Sequence, residues 1–539
     1  MGCQTIPPSS LPHQTKLFLH YLEQFGGVAD FYAHPPTFEA AVRVAEALEF
    51  PEERRSAIAE ILKEQNAGWG AGPDVERNLD RLGRGAATVV SGQQVGLFSG
   101  PAYAVYKALT AVQVAEELTQ HGIHAVPVFW MATEDHDLEE VRHATWFSEG
   151  QLHRFELPSG STGGAVGEMP LGPEINELSR QAAELLHGPG GERLGNLLRK
   201  SYAPGETYGS AFAKLFTQLF AGRGLILLDP IDARLHKIAA PVYRQALEQR
   251  DELNDKLLER GKDLEKKGYA AQVKVTERST LLFRMDKQSR QVINADNNGT
   301  GSRFKSGNTV WTRDELTKLI ESEPEKFSPN ALLRPVVQDY LLPTVACIAG
   351  PSEIAYYAQS EVVYRHVLGR MPVILPRADF TLVDPKAARV LKRYDLSVEQ
   401  LWEGPQKLQQ RMEGATVPKV LLREFERNQA LIEKSLLKLT EKIEKLDPTL
   451  QGAIELSRKK MEFQLEKVKR KTGEAIDRKT GLIAEHRKFL EAELFPNKEL
   501  QSRELCFLTF LSRWGTGLDE LQKLSGSKYL GKHYVVSIP

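Results

Sequence analysis

Five short apolar runs, at 86–90, 126–131, 224–229, 344–348 and 372–375, each stop at polar, glycine or proline residues. Runs of this length, without polar alternation, predict strands buried on both faces, as in a parallel sheet. After the first run, Ala102, Val105, Tyr106, Leu109, Val112 and Leu118 recur at helical spacing, and Ser99 before Gly100-Pro101 marks a helix start. Strand, helix and second strand make a βαβ unit with a right-handed crossover. The pattern as a whole predicts an α/β fold with a doubly wound parallel sheet.

Three other stretches depart from that rhythm. Residues 1–85 are mainly helical by pattern, and 150–215 is long and mixed. Residues 270–312 alternate (Val273, Val275; Leu281, Phe283; Val292, Ile293) and carry Asn298-Gly299, a hairpin signal, so a small antiparallel appendage is expected. The core thus spans 1–385, with insertions at about 150–215 and 265–343. Beyond it, Ile432, Leu436, Leu439, Ile443 and Leu446 are spaced by four and three, Asp447-Pro448 interrupts, and Ile454, Met461, Leu465 and Val468 resume. This predicts an antiparallel coiled-coil hairpin within 386–504. The tail, 505–539, is apolar and aromatic again (Phe507, Leu508, Phe510, Leu511, Trp514) and is expected to return to the core. Two helices leave part of their apolar stripe uncovered, so a homodimer through the hairpin is expected.

Composition works by exclusion. Seventy basic against 71 acidic residues leave a net charge of −1, which points to neither nucleic acid nor a membrane surface. Three cysteines, Cys3, Cys347 and Cys506, form no CxxC pair, which argues against a disulfide framework or structural zinc and fits a reducing cytoplasm. Cys347, inside an apolar run, reads as a core residue rather than a nucleophile. No apolar run approaches the ~20 residues of a membrane span. The chain start lacks the basic and apolar regions of a signal peptide, so a cytoplasmic location is expected.

The candidate chemistry sits where the second run ends, at Glu134-Asp135-His136-Asp137. Three carboxylates around an imidazole, at the C-terminal end of a buried strand, stand where open α/β sheets bind ligands. Crowded like charges also shift proton affinities. The competing reading is a capped helix start, with Thr133 or Asp135 as the cap. His136, Asp135, Asp137 and the later His143 do not form an HExxH pattern, and no metal is expected. No Walker A or GxGxxG sequence is present, and Gly83-Arg84-Gly85 and Gly188-Pro189-Gly190-Gly191 read as turns. The small-residue loop from Ser91 to Pro101 offers amides and a helix N-terminus to an anion, or is only a tight turn. Lys107, on the helix that follows, reads as a snorkelling surface residue.

At these residues the chain resembles the cysteine-adding enzymes of bacillithiol biosynthesis, a family of cysteine ligases. The resemblance rests on Ser91-Gly92-Gln93-Gln94, Gly96-Leu97-Phe98, Gly100-Pro101 and Tyr106-Lys107-Ala108-Leu109-Thr110-Ala111. It continues in Val126-Pro127-Val128-Phe129-Trp130 with Glu134-Asp135-His136-Asp137, in Ser328-Pro329-Asn330 with Arg334-Pro335, Gln338-Asp339 and Leu341-Leu342-Pro343-Thr344, and in Gly350-Pro351 with Glu353-Ile354-Ala355-Tyr356 and Ala358-Gln359. It covers the whole chain, coiled coil included. It implies a nucleotidyltransferase-like Rossmann core with connective insertions, a dimerising coiled coil, and the addition of cysteine to the amine of glucosaminyl-malate. ATP or ADP is the candidate cofactor, yet Leu97-Phe98-Ser99-Gly100 stands where adenylating enzymes carry HxGH, and nothing like KMSKS follows Leu375-Pro376-Arg377.

Amide formation on an amine needs that amine deprotonated, the acyl donor held and the oxyanion stabilised. His136 is the natural base, oriented by Asp135 or Asp137, and Glu134 suits an ammonium. Asn330 and Arg334 suit a carboxylate. Ser91, Gln93, Gln94 and Ser99 would bond sugar or nucleotide hydroxyls. Glu353, Tyr357 and Gln359 either bind substrate or cap their helix, and Arg377 joins the site from the last strand. Two non-enzymatic readings stand beside this one: a nucleotide-binding regulator, and a structural coiled-coil protein with a non-catalytic Rossmann-like head.

Overall fold

The computed structural model describes residues 2–158, 163–286, 289–296 and 303–539. All five apolar runs become strands: β1 (Ala87–Gln93), β2 (Ala125–Met131), β3 (Ile226–Leu228), β4 (Thr344–Ala349) and β5 (Val373–Pro376). They form one sheet in the order β3-β2-β1-β4-β5, with every neighbouring pair parallel. This is the doubly wound, Rossmann-type arrangement that the pattern predicts. β1 runs past its predicted end at Val90 as far as Gln93, pairing Ser91, Gly92 and Gln93 with Phe129, Trp130 and Met131. Gly92 permits this: a Cβ there would stand 2.9 Å from the Trp130 carbonyl oxygen.

The helices that matter to the site are α1 (Ala102–Gln120), α2 (Ala233–Glu248), α3 (Arg334–Leu341) and α4 (Pro351–Val367). α1 lies on β1 and β2, while the C-terminal helices Gln501–Glu504 and Gly517–Lys523 cover its outer side. Over residues 102–115 that helix is apolar on nearly every side and leaves no face for solvent. Lys107, expected at the surface, is therefore only 3% exposed. The tail is woven into the same body. His533–Ser537 pairs with Asp379–Val383 in parallel and with Cys3–Ile6 in antiparallel fashion.

In the first insertion, a hairpin (His143–Ser148, Gln151–Glu156) is followed by three helices, and Phe212 and Phe216 of the third pack 5.9 and 5.0 Å from the Phe129 ring of β2. The appendage is a five-stranded antiparallel sheet, Thr309–Thr312, Arg303–Ser306, Arg290–Ala295, Ser279–Met285 and Phe327–Pro329 in spatial order. Asn298-Gly299 lies outside the described residues. The edge strand Phe327–Pro329, too short for any periodicity to mark, leads directly into Asn330 and α3.

Two long helices, α5 (Lys419–Glu444) and α6 (Gln451–Thr480), pack on each other as the hairpin. Asp447 closes their turn by accepting bonds from the Thr449 amide and hydroxyl at 2.9 and 2.7 Å. Leu436 is buried, but Leu439, Leu446, Met461 and Val468 remain 48, 83, 45 and 54% exposed. Each helix covers only one stripe of the other.

Candidate active site

A cleft of about 570 Å³ opens above the C-terminal ends of the central strands. It includes the gap between β1 and β4, where the strand order reverses. Crossovers on either side of that point leave toward opposite faces, which is why such sheets bind ligands there. The volume suits a small metabolite.

Eight of the residues singled out from sequence line it: Gln93, Gln94, Glu134, Asp135, Asn330, Arg334, Glu353 and Arg377. All but Glu134 are tied before any ligand arrives. Gln94 donates to Asp135 at 2.9 Å and to Glu140 at 2.7 Å. Asn330 Oδ1 accepts from the amides of Leu332 and Leu333, both at 3.0 Å, and so opens the turn into α3. Arg334 donates to the Tyr356 hydroxyl at 2.9 Å and to Gln338 at 3.1 Å. Glu353 takes the Gly350 amide at 2.7 Å, a cap at the start of α4, and is ion-paired to Lys107. Arg377 is ion-paired to Asp379.

Two cations that the sequence reading missed complete the wall. Lys107 donates to the Gly92 carbonyl at 3.0 Å and to Gln93 Oε1 at 2.8 Å. Burial lowers its pKa, against the pull of Glu353. Its signal was legible: it is the one charged residue between Ala102 and Ala115, a stretch of helix that is otherwise nearly all apolar. Arg290 comes from the appendage, held by Ser328 Oγ at 3.0 Å and the Pro329 carbonyl at 2.9 Å, with its guanidinium over the Phe283 ring. Burial pushes its pKa down, with Glu134 and Asp135 opposing. No pattern in the sequence marks Arg290, because the appendage alone brings it to the sheet.

Glu134 is the buried carboxyl of the site, 6% exposed, and its Oε1 has no hydrogen-bond partner. Burial pushes its pKa up to about 7; Arg290 and Arg334 pull against this, while Asp229 and Asp135 add to it. Beside it, Thr133 donates to Asp229 at 2.5 Å, and burial pushes the Asp229 carboxyl up to about 6. His136 stands at the rim with its ring about half exposed; Nδ1 is 3.4 Å from Asp135 Oδ1 and 3.4 Å from Arg290 Nη1.

The remaining candidates lie elsewhere. Ser91 is fully buried within β1, facing into the packed sheet. Ser99 is also fully buried, 3.6 Å from Cys506 Sγ, in a turn where Phe98, Ser99 and Gly100 all have positive φ. Cys506 holds that turn by donating to the Phe98 carbonyl at 3.1 Å. Asp137 does not reach His136: it accepts the Glu140 amide at 3.2 Å and caps the short helix Leu138–Val141. The cap is therefore Asp137, not Thr133 or Asp135. Tyr357 is buried with its hydroxyl 2.9 Å from Cys347 Sγ. Gln359 clamps the amide and carbonyl of Val273, both at 2.8 Å, and so fixes the approach to the appendage. Among the described residues, no group of three or more His, Cys, Asp or Glu side chains is placed to hold a metal ion, and no helix is long and apolar enough to cross a membrane.

Comparison with known proteins agrees with this architecture. Residues 1–378 match the family model described as "Bacillithiol biosynthesis BshC, N-terminal Rossmann-like domain", and residues 380–538 match "Bacillithiol biosynthesis BshC, C-terminal coiled-coil domain". A relative named "Putative cysteine ligase BshC" from Koribacter versatilis (strain Ellin345) is 40% identical over 525 residues, 97% of each chain. Proteins of the same name from Solibacter usitatus (strain Ellin6076) and Salinibacter ruber (strain DSM 13855 / M31) are 37 and 32% identical over 524 residues. These cover 96% of this chain in each case, and 96 and 95% of the relatives. With a parallel sheet, a paired-helix hairpin and full-length relatives all in accord, the chain belongs to the BshC family of bacillithiol biosynthesis.

Proposed function

We propose that this cleft joins the carboxyl of cysteine to the amine of glucosaminyl-malate, forming the amide of bacillithiol. The names of the relatives support a ligase. One observation carries the substrate assignment: Lys107, Arg290, Arg334 and Arg377 converge with a single deeply buried carboxyl, Glu134, in one cleft. That array complements ligands that bear carboxylates together with an ammonium, as both substrates do. The arginines hold carboxylates, Glu134 receives an ammonium, and Gln93 and Gln94 bond sugar hydroxyls. His136, oriented by Asp135, acts as a base at the rim.

The acyl carbon must carry a leaving group before an amine can displace it, and ATP is the source we propose. Two copies of the chain meet through the exposed stripe of α5 and α6, and the work is done in the cytoplasm. The test is complementation of a bacterium whose own cysteine-adding gene is deleted. Restored bacillithiol, with glucosaminyl-malate consumed, is the expected result. A well-expressed protein that leaves the thiol pool unchanged would overturn the assignment.

A further inference from the structure

Behind Glu134, on the side away from the cleft, lies a pair of residues with no part in the site so far. His236 is on the first turn of α2, at the end of β3, and Tyr243 follows seven residues later on the same helical face. His236 is 3% exposed; its Nε2 is 3.5 Å from Glu134 Oε1 and its Nδ1 is 3.2 Å from the Tyr243 hydroxyl. With Tyr243 donating to Nδ1, the ring carries its hydrogen on Nε2, the nitrogen that stands 3.5 Å from a Glu134 oxygen with no hydrogen-bond partner. Burial pushes the His236 pKa down to about 4, so the ring is neutral at pH 7 and offers a donor without a charge.

Resting on the function proposed above, we infer that Glu134 removes the proton from the ammonium it receives, and that His236, held by Tyr243, is the positioning residue that orients its carboxylate. Two N–H bonds break on the way from an ammonium to an amide. The first must break before attack, to free the lone pair; the second breaks as the tetrahedral adduct expels its leaving group. The step assigned to Glu134 is the first. An ammonium N–H bond breaks, a carboxyl O–H bond forms on Glu134, and the nitrogen keeps the electron pair. The second proton falls to His136 at the solvent rim. A carboxyl near neutrality can both accept that proton and release it between turnovers. The charged groups that weigh most on that balance are Arg290 from the appendage, Arg334 from α3, Asp229 from the end of β3 and its neighbour Asp135, with His236 and Tyr243 facing it from α2.

Calorimetric titration of glucosaminyl-malate into the full-length protein at pH 7, in buffers of different ionisation enthalpy, reads the proton count directly. An arriving ammonium drives a partly protonated Glu134 to ionise, so a fraction of a proton should be released per substrate bound. Glu134→Gln should release correspondingly less and lower kcat by about 10²–10⁴-fold. His236→Phe removes the donor, so the acid limb of the kcat/KM profile should move to higher pH. His236→Gln, which can still donate, should restore it, a pattern that mere packing would not produce. Substrate binding with the same proton release in wild type and Glu134→Gln would overturn the inference and leave the proposed function standing. An acid limb unmoved in His236→Phe would overturn the part given to His236. Failure of glucosaminyl-malate to bind the wild-type protein would overturn both.

Discussion

The cleft and the coiled-coil hairpin use the same kinds of residue to opposite ends. At the cleft, charged side chains are drawn into the interior: Lys107, Glu134 and Arg377 are each less than a tenth exposed. In the hairpin, apolar side chains are left outside, with Leu439 and Val468 about half exposed. Buried charge is costly unless paired: Lys107 and Arg377 are paired within the protein, and Glu134 is left to a ligand of the right charge. Exposed apolar surface is costly unless covered, so the hairpin awaits a matching surface. Each region is incomplete in its own way, and each deficit names the kind of partner that fills it.

If the cleft is built for chemistry, His136→Asn should show the largest effect. It keeps the shape of a rim residue and removes the base that takes the second proton, so thiol output from a complemented strain should fall by about 10²–10⁴ with thermal stability unchanged. Full complementation at matched expression would remove His136 from the mechanism. Lys107→Met comes next. It leaves Glu353 with only the Gly350 amide at the edge of the cleft, and breaking a buried pair costs at most about 3–5 kcal/mol. Chemical denaturation should register that loss. A change under 1 kcal/mol would mean that water reaches Glu353 freely.

Glu134→Gln tests the cleft's stored cost with its sign reversed. Folding raises the Glu134 pKa from its ordinary 4.5 to about 7. Between those values the unfolded chain gives up a proton that the folded chain keeps, so stability falls as pH rises through this window. The cost is complete above about 7, and Glu134→Gln should then be the more stable protein at pH 8, by roughly 3 kcal/mol at most. The difference should vanish near pH 4. A variant no more stable than wild type at pH 8 would show that the carboxylate is fully compensated as it stands.

The hairpin should behave in the contrary way. Leu439→Lys combined with Val468→Lys alters exposed positions, which typically shifts stability by no more than ~0.5 kcal/mol per site. Light scattering should nevertheless show a dimer becoming a monomer, while each chain keeps its fold. A double variant that remains dimeric would place the contact elsewhere and break the comparison.

Hydrophobic pattern alone determined the five strands, the α1 crossover and the paired helices, because each depends on residues close in sequence repeating at period 3.6 or in an unbroken apolar run. It also located the acidic end of β2. Tertiary structure decided which polar residues share the cleft. Gln93 reaches it because Gly92 allows β1 to continue against Trp130, while Ser91, two residues earlier, is sealed into the sheet. Asp135 and Asp137 are equivalent by composition, yet one lines the cleft and the other caps a helix. Lys107 is buried because its ammonium turns onto the end of β1 and the start of α4, Arg290 arrives on an appendage 154 residues from His136, and His236 meets Glu134 across two neighbouring strands. None of these pairings leaves a local period in the chain. They follow from strand order and crossover, which bring together side chains whose spacing in sequence carries no information about their distance in space.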